Sequence, residues 1–304
     1  MSKRNSIIFV PGIRPKPPAE QHRQALWECL IEGVRRANPT VAQSLAACSD
    51  QFQLVPWSKL FYGAYKDIQL DREGIRHVLE QSRPTEEDLR DARSFGMQLN
   101  RLVYTIGDRF PGLMNVISNR AMATRLDEIR RYFKDVDGIG TKVRQMTAEF
   151  LLRAWQDNDR VMLIGHSFGA VIAYDTLWEL SRSSREPGEV DMLVTMGSPM
   201  GLNFMRKRVR GAGHTGPARF PANIRHWLNI SALGEPAALD RKFVERYREM
   251  LELGLVDSIT GHMGLVNVFR DSDGLNVHKC YGYFVSRDTG SFIADWWQDL
   301  ESET

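Results

Sequence analysis

Gly165-His166-Ser167-Phe168-Gly169 lies between Val161-Met162-Leu163-Ile164 and Ala170-Val171-Ile172-Ala173-Tyr174. The first flank is a short apolar run, which reads as a buried parallel strand. The second mixes small and apolar residues and reads as a helix packing back on the sheet. Between them, G-x-S-x-G reads as a sharp strand-to-helix turn with a nucleophile at its tip. The chemistry accounts for each residue type. A serine that attacks a carbonyl must be pushed out of the turn at unusual backbone angles. Glycine on either side leaves room where a β-carbon would collide with the neighbouring strand or helix. The alternative is an ordinary Gly-rich turn with a solvated serine, and the two flanking runs argue against it.

Working outward, Ser6 to Val10 reads as a first buried strand, ended by Pro11-Gly12. Trp27, Leu30, Ile31 and Val34 fall at i, i+3, i+4 and i+7 and predict a helix. Phe52 to Pro56 predicts a second strand, with the proline near its end. Strand, helix and strand at this spacing make a βαβ unit, so the sheet should be parallel. From Trp57 to about Gly140 the strand pattern disappears. Leu99, Leu102, Val103 and Ile106 form one helical stripe, and Met122, Leu126, Ile129 and Phe133 another, separated at Phe110-Pro111-Gly112. A segment this long must carry structure of its own. Residues 58–140 are therefore expected to form a helical insertion, a cap over the sheet edge, with 1–57 and 141–304 making the core. A further helix, with Val143, Met146 and Phe150 on one face, leads into the strand before Ser167. Beyond it come strands at Val190–Met196, Arg225–Ile230 and Leu265–Phe269, then a closing helix at Phe292–Leu300.

Bulk properties narrow the function classes. The chain has 304 residues, 42% hydrophobic, with mean hydropathy −0.36, as a soluble protein with a sizeable core should. Lys+Arg 40 against Asp+Glu 38 is near balance. The basic run Arg206 to Arg210 lacks aromatic interleaving, so no nucleic-acid partner is expected. Ile7 to Val10 after Lys3-Arg4 is too short for the core of a signal peptide, and no run approaches the roughly 20 apolar residues of a membrane span. Three irregularly spaced cysteines, Cys29, Cys48 and Cys280, read as free thiols, and a cytoplasmic protein is expected. No ligand-spaced cluster calls for a metal, and no cofactor is expected. Asp137 to Lys142 lacks the spacing of a phosphate-binding P-loop.

A serine hydroxyl needs a base to take its proton and an acid to orient that base. On this kind of sheet the acid and then the histidine follow the serine, each on a loop at a strand's carboxyl end. His278, in the polar turn Asp273 to His278 after the last predicted strand, is where the base belongs. His262, in Gly261-His262-Met263-Gly264, is the alternate, since it precedes that strand. His166 sits inside the turn, where its side chain should lie beside the nucleophile in a structural or wall role. Glu235 is the first carboxylate after the Trp227–Ile230 run and is the preferred acid, with Asp240 the alternate. An oxyanion hole needs two backbone N–H groups: one from Phe168, the other from the loop after the first strand, Ile13 by preference and Arg14 next.

Phe9-Val10-Pro11-Gly12, the Ser167 pentapeptide, Met196-Gly197-Ser198-Pro199, Asn229 with Glu235-Pro236, and Asn276-Val277-His278 with Tyr281 together resemble the α/β-hydrolase superfamily. Within it they are most similar to the lipase-like serine esterases related to the PGAP1 group. The resemblance covers roughly 5–58 and 141–300 and does not reach the insertion. It implies a mostly parallel central sheet flanked by helices, and hydrolysis of an ester-type bond. The chain departs at Pro11-Gly12, where many relatives carry His-Gly, and at Glu235-Pro236, where Asp-Pro is usual; glutamate can serve as the orienting acid.

The expected substrate is a small-molecule or lipid ester. A phospholipid or thioester would use the same triad. Leu113, Met114, Val116 and Ile117 in the insertion, with the Met205–Arg210 run, suggest an acyl gate and peripheral contact with an anionic membrane. The alternative reading is that the patch packs within the cap and the run is a solvated helix face. A different class is a catalytically silent hydrolase fold used as a binding module, though all three triad candidates are present.

Overall fold

The computed structural model describes residues 3–94, 120–183, 188–235 and 242–302. Six strands form one sheet: β1 (Asn5–Val10), β2 (Phe52–Leu54), β3 (Arg160–His166), β4 (Val190–Met196), β5 (Ile224–Ala232) and β6 (Ser258–Leu265). Every neighbouring pair is parallel, in the order β2-β1-β3-β4-β5-β6. The chain steps from β1 to β2 on one side, then returns to place β3 on the other side and continues outward. The carboxyl ends of β1 and β3 therefore flank the point where the winding reverses, the place where open α/β sheets bind ligands.

The six longest described helices are α1 (Ala19–Ala37), α2 (Gln69–Glu80), α3 (Arg120–Phe133), α4 (Ile139–Gln156), α5 (Phe168–Leu180) and α6 (Arg287–Ser302). They cover both faces. Alternation along β1 sends Ile7 and Phe9 toward α1 and α6, where Leu26, Leu30 and Trp296 complete the core. Ile8 and Val10 point the other way, with Val143 and Leu151 of α4 and Val171 and Ile172 of α5. Burial on both faces explains why the central strands read as continuous apolar runs.

Between β2 and β3 the described residues are helical, with no strand. α2 packs on α1, while α3 packs on α4, so the described helices of 58–140 divide between the two faces of the sheet. The stripe at Leu99–Ile106 and the patch at Leu113–Ile117 lie outside the described residues.

Three expectations need correction. The last strand is Ser258–Leu265, not Leu265–Phe269. It is an edge strand with Gly261, Gly264 and exposed residues, so it has no apolar signature, while Val268 and Phe269 are buried as loop residues in the core. The buried face of α4 runs through Val143, Thr147, Leu151 and Ala154, leaving Met146 and Phe150 half-buried at its edge. His262, in consequence, lies within β6 and not in a loop. Among the described residues no helix is long and apolar enough to cross a membrane.

Candidate active site

The turn after β3 is built by exclusion of volume. A β-carbon on Gly165 would lie 2.5 Å from the α-carbon of Ala170, and one on Gly169 would lie 2.1 Å from the carbonyl oxygen of Val10. Ser167, between them, has φ 54° and ψ −125°, a conformation that costs on the order of 1–3 kcal/mol and persists only where its surroundings impose it. Here they do: its N–H donates to Met196 O at 2.8 Å, and α5 begins at the next residue. The hydroxyl is left standing over the reversal point of the sheet. The parallel six-stranded sheet, its helical faces and this strained serine between β3 and α5 decide the architecture. The fold is that of the α/β hydrolases.

Ser167 Oγ lies 2.9 Å from His278 Nε2, and His278 Nδ1 lies 2.9 Å from both carboxylate oxygens of Glu235. A carboxylate only accepts, so Nδ1 carries the proton and Nε2 is left to accept from the serine hydroxyl. The Glu235 side chain is 2% exposed. Burial makes its hydrogen bond to the imidazole electrostatically stronger than it would be in water.

Each partner is aimed by its own element. β5 and β6 shift register between Ser231 and Ala232, re-aiming the chain as such irregularities do. Gly234 at φ 84° completes the turn into Glu235. The loop carrying His278 is clamped by Asn267, fully buried, whose Nδ2 donates to Val277 O at 2.9 Å and Lys279 O at 2.8 Å. Tyr283 Oη receives the N–H of Ala232 at 2.9 Å and donates to Glu235 Oε2 at 3.3 Å.

The loop after β1 closes the other side. A β-carbon on Gly12 would fall 2.8 Å from Ser167 Cβ, so this loop passes directly against the serine. Trp57 Nε1 donates to Pro11 O at 2.8 Å, and Ser58 Oγ to Arg14 O at 3.2 Å. Arg14, at φ 81°, gives its N–H to Tyr62 Oη at 2.7 Å, which removes it from the pool of oxyanion donors. The N–H groups of Ile13 and Phe168 have no acceptor among the described residues. The Phe168 ring is held edge-on by Tyr132 and Phe133 of α3, at 5.1 and 5.9 Å.

The alternates fall elsewhere. His262 Nε2 pairs with Asp288 at 3.0 Å and takes no part in the Ser167 network. Asp240 lies outside the described residues. His166 is buried, and that burial, with His278 beside it, holds its pKa well below the ordinary value. The neutral ring donates from Nε2 to the carbonyl of His278 at 2.8 Å, bracing that residue from behind. In the basic run, Arg206 reaches Asn203, Arg208 covers the Phe204 ring and Arg210 pairs with Glu179. Among the described residues no group of three or more His, Cys, Asp or Glu side chains could hold a metal. A polar cavity of about 410 Å³, lined by Arg160, Asp191, Arg225 and Thr260 among others, lies at the opposite, amino-terminal end of the strands.

Sequence reading did not find Asn267, Tyr283 or the part played by Gly197. Asn267 was hidden inside an apolar run taken for a strand. Gly197 is in plain view after β4, but its value depends on a neighbour 38 residues downstream.

No protein-family model matches the chain. Over 65 residues it is 41% identical to a transmembrane and coiled-coil domain-containing protein, STS1, of Oryza sativa subsp. japonica; the match spans 21% of this chain and 10% of that relative's length. Among solved structures, uncomplexed Pyrococcus horikoshii acylaminoacyl peptidase is similar at TM-score 0.27 and 16% identity, over 53% of this chain and 26% of the other. An acylaminoacyl peptidase in complex with Z-Gly-Gly-Phe-chloromethyl ketone gives the same figures.

Proposed function

We propose that this chain is a serine hydrolase, lipase-like in kind, which cleaves a carboxylic ester through an acyl-enzyme. The observation that carries the reading is the unbroken hydrogen-bonded line from Ser167 Oγ through His278 to the buried Glu235 carboxylate, at the reversal point of the sheet. Ser167 Oγ attacks the acyl carbon while His278 Nε2 takes the hydroxyl proton. Glu235 keeps the Nδ1–H tautomer and stabilises the imidazolium without itself becoming protonated. Negative charge on the carbonyl oxygen is met by the N–H groups of Phe168 and Ile13, each worth on the order of 3 kcal/mol of transition-state stabilisation. His278 then returns the proton to the leaving alcohol. A water activated by the same imidazole releases the acid and restores Ser167.

A thioester or phospholipid acyl group would pass through the same steps, and a panel of leaving groups separates these. Free Cys29, Cys48 and Cys280 fit work in a reducing, cytoplasmic setting. The decisive comparison is wild type against Ser167→Ala on short p-nitrophenyl esters, with fluorophosphonate labelling of the serine. Loss of turnover by at least about 10³-fold is expected. Equal turnover by the two proteins would end the reading, and an unlabelled, inert but folded wild type would favour a binding module instead.

A further inference from the structure

On the loop that carries His278, Lys279 converges with Lys66 on one carboxylate, and Lys16 stands against both. Lys66 Nζ lies 2.7 Å from Asp71 Oδ1, and Lys279 Nζ reaches the same oxygen. Lys16, whose carbonyl receives the N–H of Lys66, turns its own Nζ back to Ile13 O at 2.6 Å. The Asp71 side chain is 3% exposed, whereas those of Lys66 and Lys279 are 28% and 21% exposed. The carboxylate is thus the buried floor, and both paired lysine side chains are partly exposed. Burial and the neighbouring lysines push the Lys16 amine down to about 8 and lower Lys66 as well, as expected where cations crowd together. Cys280, also against Lys16, is raised by burial and stays a neutral thiol.

The chain itself ties this cluster to the reacting atoms. Lys279 directly follows His278, and Lys16 grips the carbonyl of Ile13 in the loop that abuts Ser167. The inner wall is polar without being satisfied. His22 Nδ1 and Tyr281 Oη, in residues each 1% exposed, have no hydrogen-bond partner among the described residues. Their rings meet edge-on at 6.0 Å, and Lys279 Nζ stands 5.8 Å from the Tyr281 ring. Among the described residues, Asp71 is the carboxylate paired in this cluster of three cations, a surplus of two positive charges that stability alone gives little reason to gather.

We propose that Lys16, Lys66 and Lys279 form a recognition site for an oxyanion, phosphate or carboxylate, carried on the substrate of Ser167. This rests on Ser167 being the nucleophile, and it narrows the substrate to an acidic ester. The lysines hold the anionic end while the acyl carbon is presented to the serine. Such binding is charge-assisted and places the ester at the reacting atoms instead of merely near them.

The test compares 4-nitrophenyl hydrogen glutarate, which carries one carboxylate, with neutral 4-nitrophenyl butyrate. Wild type is expected to favour the anionic ester in kcat/KM by about tenfold or more. Lys66→Gln keeps the Lys279–Asp71 pair and should cut that ratio about fivefold. Asp71→Asn removes the competing carboxylate and should raise it, and general damage would not move the two variants in opposite directions. A wild-type ratio near one, or equal losses on both esters in Lys66→Gln, would overturn the proposal. Calorimetry of inorganic phosphate with Ser167→Ala decides the site separately from catalysis. Binding that weakens in the Lys66→Gln background supports it, and no binding beyond that of chloride at equal ionic strength overturns it. An inert wild type that still binds phosphate at these lysines would sink the hydrolase reading and leave the anion site standing. Inhibition by soluble glycerol 3-phosphate would point to a soluble substrate, and inhibition only by vesicles containing phosphatidic acid to a lipid headgroup.

Discussion

Gly197 stands against Glu235 with no space to spare. A β-carbon on Gly197 would lie 3.3 Å from Glu235 Oε2, 3.3 Å from His278 Nδ1 and 3.1 Å from Tyr283 Oη. Its φ of 53° is also one that side-chain-bearing residues rarely adopt. Gly197→Ala therefore strains the backbone and displaces the acid–base pair together. A loss of about 1–3 kcal/mol in stability should accompany a fall of about tenfold or more in kcat, since small misplacements of reacting groups are costly. Urea unfolding and ester kinetics on one preparation read both. Full activity in a destabilised protein would show that the contact is structural only.

Glu235→Gln preserves shape and removes charge. The amide no longer specifies which imidazole nitrogen holds the proton, and the imidazolium loses its counter-charge. A fall in kcat of about 10³–10⁴ is expected, as for the corresponding change in other triads, with little change in thermal midpoint. A fall below tenfold would hand the orienting role to another group.

How much of this was legible follows from where each signal lives. Strands β1 and β3 announced themselves because burial on both faces demands apolar runs, here Ile7 to Val10 and Val161 to Ile164. The neighbourhood of Ser167 was legible because the turn leaves no room for side chains at 165 and 169. His278 and Glu235 were singled out by the order expected on such a sheet, acid and then histidine after the serine, and the structure brings both into one hydrogen-bonded line with Ser167. What failed was the edge. β6 has one side in solvent and two glycines, so the apolar run beside it, Leu265 to Phe269, drew the strand assignment and concealed Asn267. The lysine cluster escaped for a different reason. Lys16, Lys66 and Lys279 are spread over 263 positions of sequence, and only the fold brings Lys66 and Lys279 to one carboxylate with Lys16 against them.

Asn267→Ala tests the clamp on the loop that carries His278. Removing Nδ2 leaves the carbonyls of Val277 and Lys279 without their donor, and removing Oδ1 frees the N–H of Phe269. At about 1–3 kcal/mol for each stranded buried group, a loss of roughly 2–4 kcal/mol is expected, allowing for partial relaxation. The loop that aims His278 should loosen first, so kcat should drop even at temperatures where the variant is fully folded. An unchanged unfolding midpoint would mean that the loop is held by other contacts.

Asp175 supplies a pH dependence with a definite sign. This carboxylate of α5 is buried, accepting the N–H of Arg210 at 2.7 Å and the hydroxyl of Tyr132 at 3.0 Å. Burial outweighs these bonds and raises its pKa to about 7, against 3.8 for the ordinary group. The folded state therefore holds this proton more tightly than the unfolded state. Its contribution to stability is fully present below about pH 4, is lost as pH rises from about 4 to 7, and is constant above that. At most one proton is involved, so the slope cannot exceed about 1.4 kcal/mol per pH unit. Asp175→Asn keeps an acceptor for Arg210 and cannot titrate. The stability of Asp175→Asn relative to wild type should rise between pH 4 and 7 and level off by pH 8, when urea unfolding of the two proteins is compared in parallel. A difference that stays flat across that range would mean that Asp175 is ionised throughout, balanced by Arg144, whose guanidinium lies 5.5 Å from the Tyr132 ring.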